Sequence, residues 1–404
     1  MTTIGKSSKL NNVRYEVRGA VAAEAERLTR QGVSVLKLNI GNPAAFGLNA
    51  PAHIKDDMTE YLLNAEAYTD SRGLLTARQA IADYCASKGI QGVTADDVYT
   101  GNGVSELIVM AMQALLNHGD EILVPAPDYP LWTAGVTFAG GTAVHYTCDE
   151  QADWNPDIAD IKKKITPRTK GIVLINPNNP TGALYPKELL EQIVEVARQH
   201  RLIIFADEIY DRLVMDGLEH TSIAALAPEL FCITMNGLSK SHNICGFRCG
   251  WMCLSGDKTH VKDYIDGLTL LSSMRLCANV PAQLVIESAL KPGSGQNSAY
   301  LPGGRVYEQR SFIHQALNNI PGVSAVKPKA ALYIFPKIDA RRYSIHNDEK
   351  FALDFLHDKH VLLVHGSGFN WHEPDHFRIV YLPEVEALKT AVDALADFLS
   401  YYRQ

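Results

Sequence analysis

Two periodicities alternate along the middle of the chain. Short uninterrupted apolar runs at 121–124, 171–175, 202–206 and 230–235 read as strands buried on both faces. Between them lie segments of helical period. Residues 187–200 place Leu189, Leu190, Ile193, Val194 and Ala197 on one face, and 101–116 is amphipathic after a glycine-rich start. Strands alternating with helices predict an α/β unit built on a mostly parallel sheet. Ligands of such sheets bind beyond the carboxyl ends of the strands. The residues just after each apolar run are therefore the first places to look for chemistry.

Near residue 297 the texture changes. A helical run at 306–320 leads through Pro321-Gly322 to short strands at 323–326, 332–335 and 361–364. A further strand at 377–381 precedes a closing helix at 385–401, which together read as a smaller α+β unit. The expected division is 1–45 as an N-terminal segment packing with the small domain, 46–296 as the large domain and 297–404 as the small one. Gly293-Ser294-Gly295 would lie in a loop near the boundary.

Composition narrows the classes of function. The 404 residues are 46% hydrophobic and 21% charged, which suits a soluble globular protein with room for two domains. A formal net charge of −7 leaves no basic surplus for a nucleic-acid backbone. No apolar run approaches the roughly 18 residues of a membrane span, and the first ten residues lack the apolar core of a signal peptide. Seven cysteines without a C-x-x-C pair point neither to a disulfide framework nor to a zinc site, so no metal is expected. A cytoplasmic location is the expectation.

Lys240 follows the apolar run 230–235 and sits among small residues in Gly237-Leu238-Ser239-Lys240-Ser241, with Arg248 eight positions on. A lysine amine kept from water is more nucleophilic, as a Schiff base requires, and the arginine could hold a phosphate. An isolated lysine in this setting also reads as an ordinary loop residue; its company elsewhere distinguishes it. Asp207 ends the run 202–206, and Tyr210 comes three residues later. A carboxylate at a buried strand tip calls for a cation. A pyridinium nitrogen would supply one, leaving Tyr210 to reach that ring's phenolic oxygen; a helix N-cap is the alternative for Asp207. Asn176-Pro177-Asn178-Asn179-Pro180-Thr181-Gly182 is a turn after 171–175 that also presents Asn179 as a neutral donor to the same oxygen.

Gly101-Asn102-Gly103-Val104-Ser105-Glu106 opens a helix whose backbone N–H groups favour a phosphate. It has neither the spacing of a dinucleotide fingerprint nor the lysine of a P-loop. Pro127-Asp128-Tyr129-Pro130 can lay Tyr129 flat on an aromatic ring or bury it as a core residue. Arg378 is a charge inside the apolar strand 377–381, suited to a bidentate carboxylate or to an internal partner.

Taken together these residues resemble the class I/II pyridoxal-phosphate aminotransferases of fold type I, over essentially the whole chain. Gly41-Asn42-Pro43, Tyr68, Asn179-Pro180-Thr181-Gly182, Asp207-Glu208-Ile209-Tyr210, Ser239-Lys240, Gly246-Phe247-Arg248 and Arg378 stand in the family's order and spacing. Pro125-Ala126-Pro127-Asp128-Tyr129-Pro130-Leu131-Trp132 is most similar to the bacterial alanine (glutamate–pyruvate) branch.

The resemblance implies a large α/β/α domain with a mostly parallel sheet, a smaller α+β domain, pyridoxal 5′-phosphate as cofactor and a homodimer. It implies that Lys240 carries the cofactor as a Schiff base and shuttles the proton. Asp207 would pair with the ring nitrogen, Asn179 and Tyr210 would meet the ring oxygen, and Tyr129 would stack on the ring. Arg248 with Gly103, Val104 and Ser105 would hold the phosphate, with Ser239 beside them and Tyr68 reaching the phosphate of the neighbouring subunit. Arg378 would take the substrate α-carboxylate, flanked by the Gly41 backbone and Asn179. Apart from the resemblance, Tyr15 and Arg18 lie in an N-terminal segment that could fold over the site, with Arg18 the candidate for the distal carboxylate of glutamate and a solvated surface arginine the alternative.

The reaction implied is ping-pong transfer of an amino group between L-alanine and 2-oxoglutarate. Other aliphatic or aromatic amino acids, and a carbon–sulfur β-lyase on the same fold, are the alternatives. The segment Ser241-His242-Asn243-Ile244-Cys245 departs from the family, as do Gly237 and Val104 where side-chain hydroxyls are commoner. Phosphate binding is accordingly expected to rest on backbone groups and Arg248.

Overall fold

The computed structural model describes residues 4–10, 13, 19–294 and 298–404. Its centre is an eight-stranded sheet in the order Val98–Asn102, Cys249–Ser255, Cys232–Gly237, Ile203–Asp207, Thr169–Ile175, Glu121–Ala126, Thr142–Asp149, Asn155–Pro156. Of these eight, Cys249–Ser255 and the two-residue Asn155–Pro156 run against the rest. The parallel pairs bring Ile175 beside Asp207 and Asp207 beside Met235, so neighbouring strands end at one edge.

Alternation along these strands feeds two separate cores. Leu123, Leu174, Ile204 and Ala206 enter one face with Ile81, Leu190 and Ile193 of the covering helices. Val124, Val173, Ile175 and Phe205 enter the other, against Leu107, Ile108, Trp132 and Leu268. Both sets are buried, so the strands read as continuous apolar runs although their side chains alternate. The result is a helix–sheet–helix sandwich. The helix expected at 187–200 occupies Lys187–His200, and the one after the glycine-rich start occupies Val104–Leu115.

Four strands of the sheet escape the apolar-run criterion, the shortest being the two-residue Asn155–Pro156. Thr142–Asp149 carries polar residues on its partly exposed face, and Val98–Asn102 ends in Thr-Gly-Asn. Cys249–Ser255 is interrupted by Gly250, where a Cβ would collide with the backbone of Gly103 and Val104. The glycine that hides this strand is required by the close approach of the next helix.

The C-terminal part holds a three-stranded antiparallel sheet, ordered Tyr333–Ile334, Phe377–Val380, Val364–His365. The run expected as one strand at 361–364 is two. Val361–Leu362 pairs in parallel with Leu36–Lys37, and Val364–His365 pairs with Phe377–Val380. The run 323–326 pairs only at Val323–Ser324, with Lys337–Ile338. Helix Ala20–Arg30 sends Val21, Ala25 and Leu28 into the core formed by Phe351, Phe355, Leu388 and Phe398. The fully buried Arg310 anchors the helix Arg305–Asn318, gripping Asp216 with two hydrogen bonds of 2.7 and 2.8 Å. Among the described residues no helix is long and apolar enough to cross a membrane.

Candidate active site

A cleft opens at the carboxyl edge of the large sheet, where ligands of such sheets bind. Strand ends supply its walls. Asp207 closes Ile203–Asp207, Asn179 lies in the turn after Thr169–Ile175, and Tyr129 follows Glu121–Ala126. Ser239 and Lys240 lie on the short helix Leu238–Ser241, which continues directly from Cys232–Gly237. Gly41, Val104, Ser105, Tyr210, Arg248 and Arg378 line the same cleft, and Gly103 is the N-cap of the helix that carries Val104 and Ser105.

Lys240 is half-buried, and its Nζ donates to the Gly41 carbonyl at 2.5 Å. That bond fixes the amine on the cleft wall and ties the 41–49 segment to the lysine. Asn243 Nδ2 bonds the Asn49 carbonyl at 3.3 Å, and Cys245 Sγ reaches Asn42 Oδ1 at 3.3 Å. The atypical stretch after the lysine thus fastens the segment that carries Gly41. Buried His242 continues it inward, with Nε2 at 2.8 Å from the Ala289 carbonyl.

Asp207 is buried and meets two neutral donors, Trp132 Nε1 at 3.1 Å and the Ile209 amide at 3.3 Å. Burial pushes its carboxyl up to about 6, and those two hydrogen bonds only partly oppose the rise. No helix starts at Asp207, so the N-cap alternative is not met. A protonated ring nitrogen would supply the cation this carboxylate lacks. Tyr210 is buried beside it, with its hydroxyl 2.9 Å from that of Tyr333.

The phosphate end is built from a helix N-terminus and one arginine. Gly103 is the N-cap of Val104–Leu115 at φ 79°, and a Cβ there would run into the Arg248 guanidinium. Arg248 itself sits in the left-handed region at φ 59°. Its Nη1 bonds the Cys245 carbonyl at 2.8 Å and its Nη2 the Asn102 carbonyl at 3.2 Å, leaving the guanidinium beside the first-turn amides. Helix dipole and guanidinium therefore face one point, the arrangement an anion needs. Glu106 accepts the Asn102 amide at 2.7 Å and pairs with Arg275, bracing this corner.

At the opposite end Arg378 is 1% exposed and lies between two aromatic rings, with Tyr333 and Phe369 each 4.5 Å from its guanidinium carbon. Its Nη1 donates to Asn179 Oδ1 at 2.8 Å, and its Nη2 to the Asn39 carbonyl. A planar cation held this way presents one edge to a carboxylate. Internal partners and a role in the cleft coexist at this residue.

Two predicted residues, Tyr15 and Arg18, lie outside the described residues. Tyr68 is 78% exposed and stands away from this chain's own cleft. Sequence reasoning missed Tyr333, which lines the cleft, touches Arg378 and Tyr210, and packs its hydroxyl where a Cβ at Gly41 would be. It also gave no role to Trp132, the donor to Asp207. Ile40, Ile175, Ile209 and Cys245 add further lining. The residues fit pyridoxal phosphate: an amine, a buried acid, an anion cup and a carboxylate clamp share one space.

The aminotransferase class I and II family model matches residues 33–395. The chain is 60% identical over 404 residues to the glutamate-pyruvate aminotransferase AlaA of Escherichia coli K12, covering 100% of each. It is 51% identical over 400 residues to the alanine aminotransferase of Mycobacterium tuberculosis H37Rv, covering 99% of this chain and 93% of that protein. The crystal structure of an aminotransferase from Escherichia coli superposes with a TM-score of 0.99 at 60% identity, covering 100% of both chains. The chain belongs to the class I and II aminotransferases, and pyridoxal 5′-phosphate is its cofactor.

Proposed function

We propose that this protein is an alanine aminotransferase, exchanging an amino group between L-alanine and 2-oxoglutarate to give pyruvate and L-glutamate. The observation that carries the reading is the one cleft lined by Lys240, Asp207, Val104, Ser105, Arg248 and Arg378. The names of the Escherichia coli and mycobacterial relatives support the substrate pair.

Pyridoxal phosphate supplies an electron sink for the bond being broken at the substrate α-carbon. Lys240 would hold it through Nζ, Asp207 would keep its ring nitrogen protonated, and Asn179 and Tyr210 would donate to its ring oxygen. Tyr129 would cover the ring face, while Gly103, Val104, Ser105, Ser239 and Arg248 would receive the phosphate. Arg378, backed by its two rings, receives the substrate α-carboxylate beside Gly41 and so fixes which bond at the α-carbon faces Lys240. Lys240 Nζ, on the cleft wall beside the α-carbon, would be the base that takes the α-proton. The Gly41 carbonyl keeps that amine on the wall of the cleft.

The division into 1–45, 46–296 and 297–404 is part of this reading, as is a homodimer with Tyr68 completing the partner's phosphate site. Support for the dimer comes from exposed apolar side chains on adjoining segments. Leu63 is 83%, Tyr68 78% and Met274 73% exposed, and Ser272 Oγ joins the two stretches by donating to the Ser71 carbonyl at 2.5 Å. A cytoplasmic location and a place in amino-acid biosynthesis accord with the reaction. Arg18 is proposed for the distal carboxylate: Arg18→Ala should weaken glutamate and spare alanine.

The test is an absorbance titration of the purified protein with a panel of amino acids. Alanine and glutamate should bleach the band of the lysine-bound cofactor, and Lys240→Ala should lack that band. Selective response to aromatic amino acids, or release of pyruvate and ammonia from cysteine conjugates without an acceptor, would replace the proposal by one of its alternatives.

A further inference from the structure

Asp128 is fully buried, and no role described so far uses it. Burial raises its carboxyl to about 7, against hydrogen bonds from Asn370 and Thr133. Both of those side-chain partners are neutral. Thr133 Oγ1 donates to Oδ2 at 2.7 Å and Asn370 Nδ2 to Oδ1 at 2.7 Å. The Asp128 amide in turn donates to the Phe369 carbonyl at 2.9 Å. An acid in such a place is costly. What it joins explains its presence.

On one side Asp128 directly precedes Tyr129, which lines the cleft. On the other, Asn370 ends the short turn Gly366–Phe369 at φ 59°, a left-handed position that asparagine tolerates. Phe369 is one of the two rings 4.5 Å from the Arg378 guanidinium carbon. Main-chain and side-chain bonds from Asp128 therefore grip both Phe369 and Asn370. Tyr333, the other ring at 4.5 Å, stands on the strand Tyr333–Ile334, so Phe369 is the ring of the pair that this grip controls.

We propose that Asp128 is a positioning residue for substrate: it holds the 369–370 turn so that Phe369 stacks on Arg378, and thereby sets the affinity of the cleft for an α-carboxylate. The inference rests on the aminotransferase reading of that cleft. It makes no demand on the charge of Asp128. An asparagine at 128 can accept from Asn370 at Oδ1 and donate through Nδ2 to Thr133 Oγ1. The Thr133 hydroxyl can then turn to His145 Nε2, already 2.9 Å away. Conservative replacement preserves the grip, whereas loss of the Asn370 amide breaks it.

The experiment uses the cofactor-loaded enzyme and two readouts. One is the Kd of 2-methylalanine, which has the carboxylate and amine but no α-proton, read from the cofactor's absorbance. The other is the split between KM and kcat for alanine and glutamate. Asn370→Ala should weaken 2-methylalanine about tenfold or more, the range expected when a hydrogen bond to a buried acid is lost. KM for alanine and glutamate should rise together, with kcat within about threefold. Asp128→Asn should restore most of the affinity relative to Asp128→Ala. Phe369→Leu should reproduce the loss without touching Asp128, which covers the case in which Asn370→Ala folds poorly. Lower melting temperatures with an unchanged Kd would reduce Asp128 to a brace and overturn the proposal. So would an Asp128→Asn enzyme as weak as Asp128→Ala. If the wild type shows neither a cofactor band nor turnover of alanine, the aminotransferase reading itself fails, a result distinct from either.

Discussion

Replacing Asp207 by asparagine should change how the cofactor-free protein responds to pH before it changes anything else. The carboxyl rises from an ordinary 3.8 to about 6 because it is buried against neutral donors. The folded protein therefore binds this proton more tightly than the unfolded chain, and stability falls as pH rises from about 4 through about 6. At 1.36 kcal/mol per pH unit the loss is about 3 kcal/mol, complete by neutral pH. At about 2.1 cal/mol/K per residue, a chain of 404 residues converts this into a melting shift of roughly 3–4 °C. The amide removes that slope. It also leaves either Trp132 Nε1 or the Ile209 amide without an acceptor, at a pH-independent cost of about 1–2 kcal/mol. Asp128 and Glu208, raised to about 7, and His145, His220 and His242, lowered to about 4 by burial, titrate over overlapping ranges. The informative quantity is accordingly the difference between the two proteins. Melting curves of both apoenzymes between pH 4.5 and 8 should converge or cross, and bound pyridoxal phosphate should stabilise the wild type more than the variant at pH 8. Parallel curves across that range would refute the reasoning, because Asp207 would then not be the uncompensated acid described.

Three further outcomes follow from the geometry. Tyr333→Phe keeps the ring on Arg378 but removes the hydroxyl facing Tyr210, so the pH midpoint of the cofactor's absorbance should move by about 0.5 unit or more while KM for alanine stays within about threefold. Gly103→Ala forces a side chain into the left-handed region and against Arg248; titration of the apoenzyme should show cofactor affinity lower by about tenfold or more, with little change in kcat once saturated. Asp216→Asn deprives the buried Arg310 of its counter-charge and should cost about 2–3 kcal/mol of thermal stability at neutral pH. Its carboxyl is held far below the usual range, first by the Arg310 hydrogen bonds, so the deficit should shrink as pH falls below about 4.

The parts of the site legible in the sequence are those placed by local rules. Asp207, Asn179 and Lys240 follow apolar runs, and a strand's end in a parallel sheet faces the ligand whatever lies elsewhere. Arg378 announces itself as a charge within an apolar strand. Tyr333 and Trp132 give no such signal, because an aromatic residue in an apolar run reads as core, and Trp132 is indeed fully buried. Their importance comes from neighbours remote in sequence: Tyr333 meets Tyr210 across 123 positions, Trp132 meets Asp207 across 75. Asp128 likewise carries its meaning only with Asn370, 242 positions on. Among the strands, Cys249–Ser255 was hidden by a glycine whose reason is the helix packed on it.

That reversed strand has a consequence for assembly. A strand running against its neighbours begins at the edge where they finish, so Arg248, one residue ahead of it, meets Gly103 and Lys240 at the ligand edge. Turned the other way, its seven residues would carry the arginine roughly 20 Å to the far side. The edge strand Val98–Asn102 pairs with Cys249–Ser255 alone, so the anion cup joins two stretches nearly 150 residues apart in the chain (146 between Asn102 and Arg248). On the ribosome, the first half of the cup must wait, unpaired at its edge, until the second half emerges. Among the strand pairings of the large sheet, that of Val98–Asn102 with Cys249–Ser255 spans the most sequence and so carries the highest loop-closure cost.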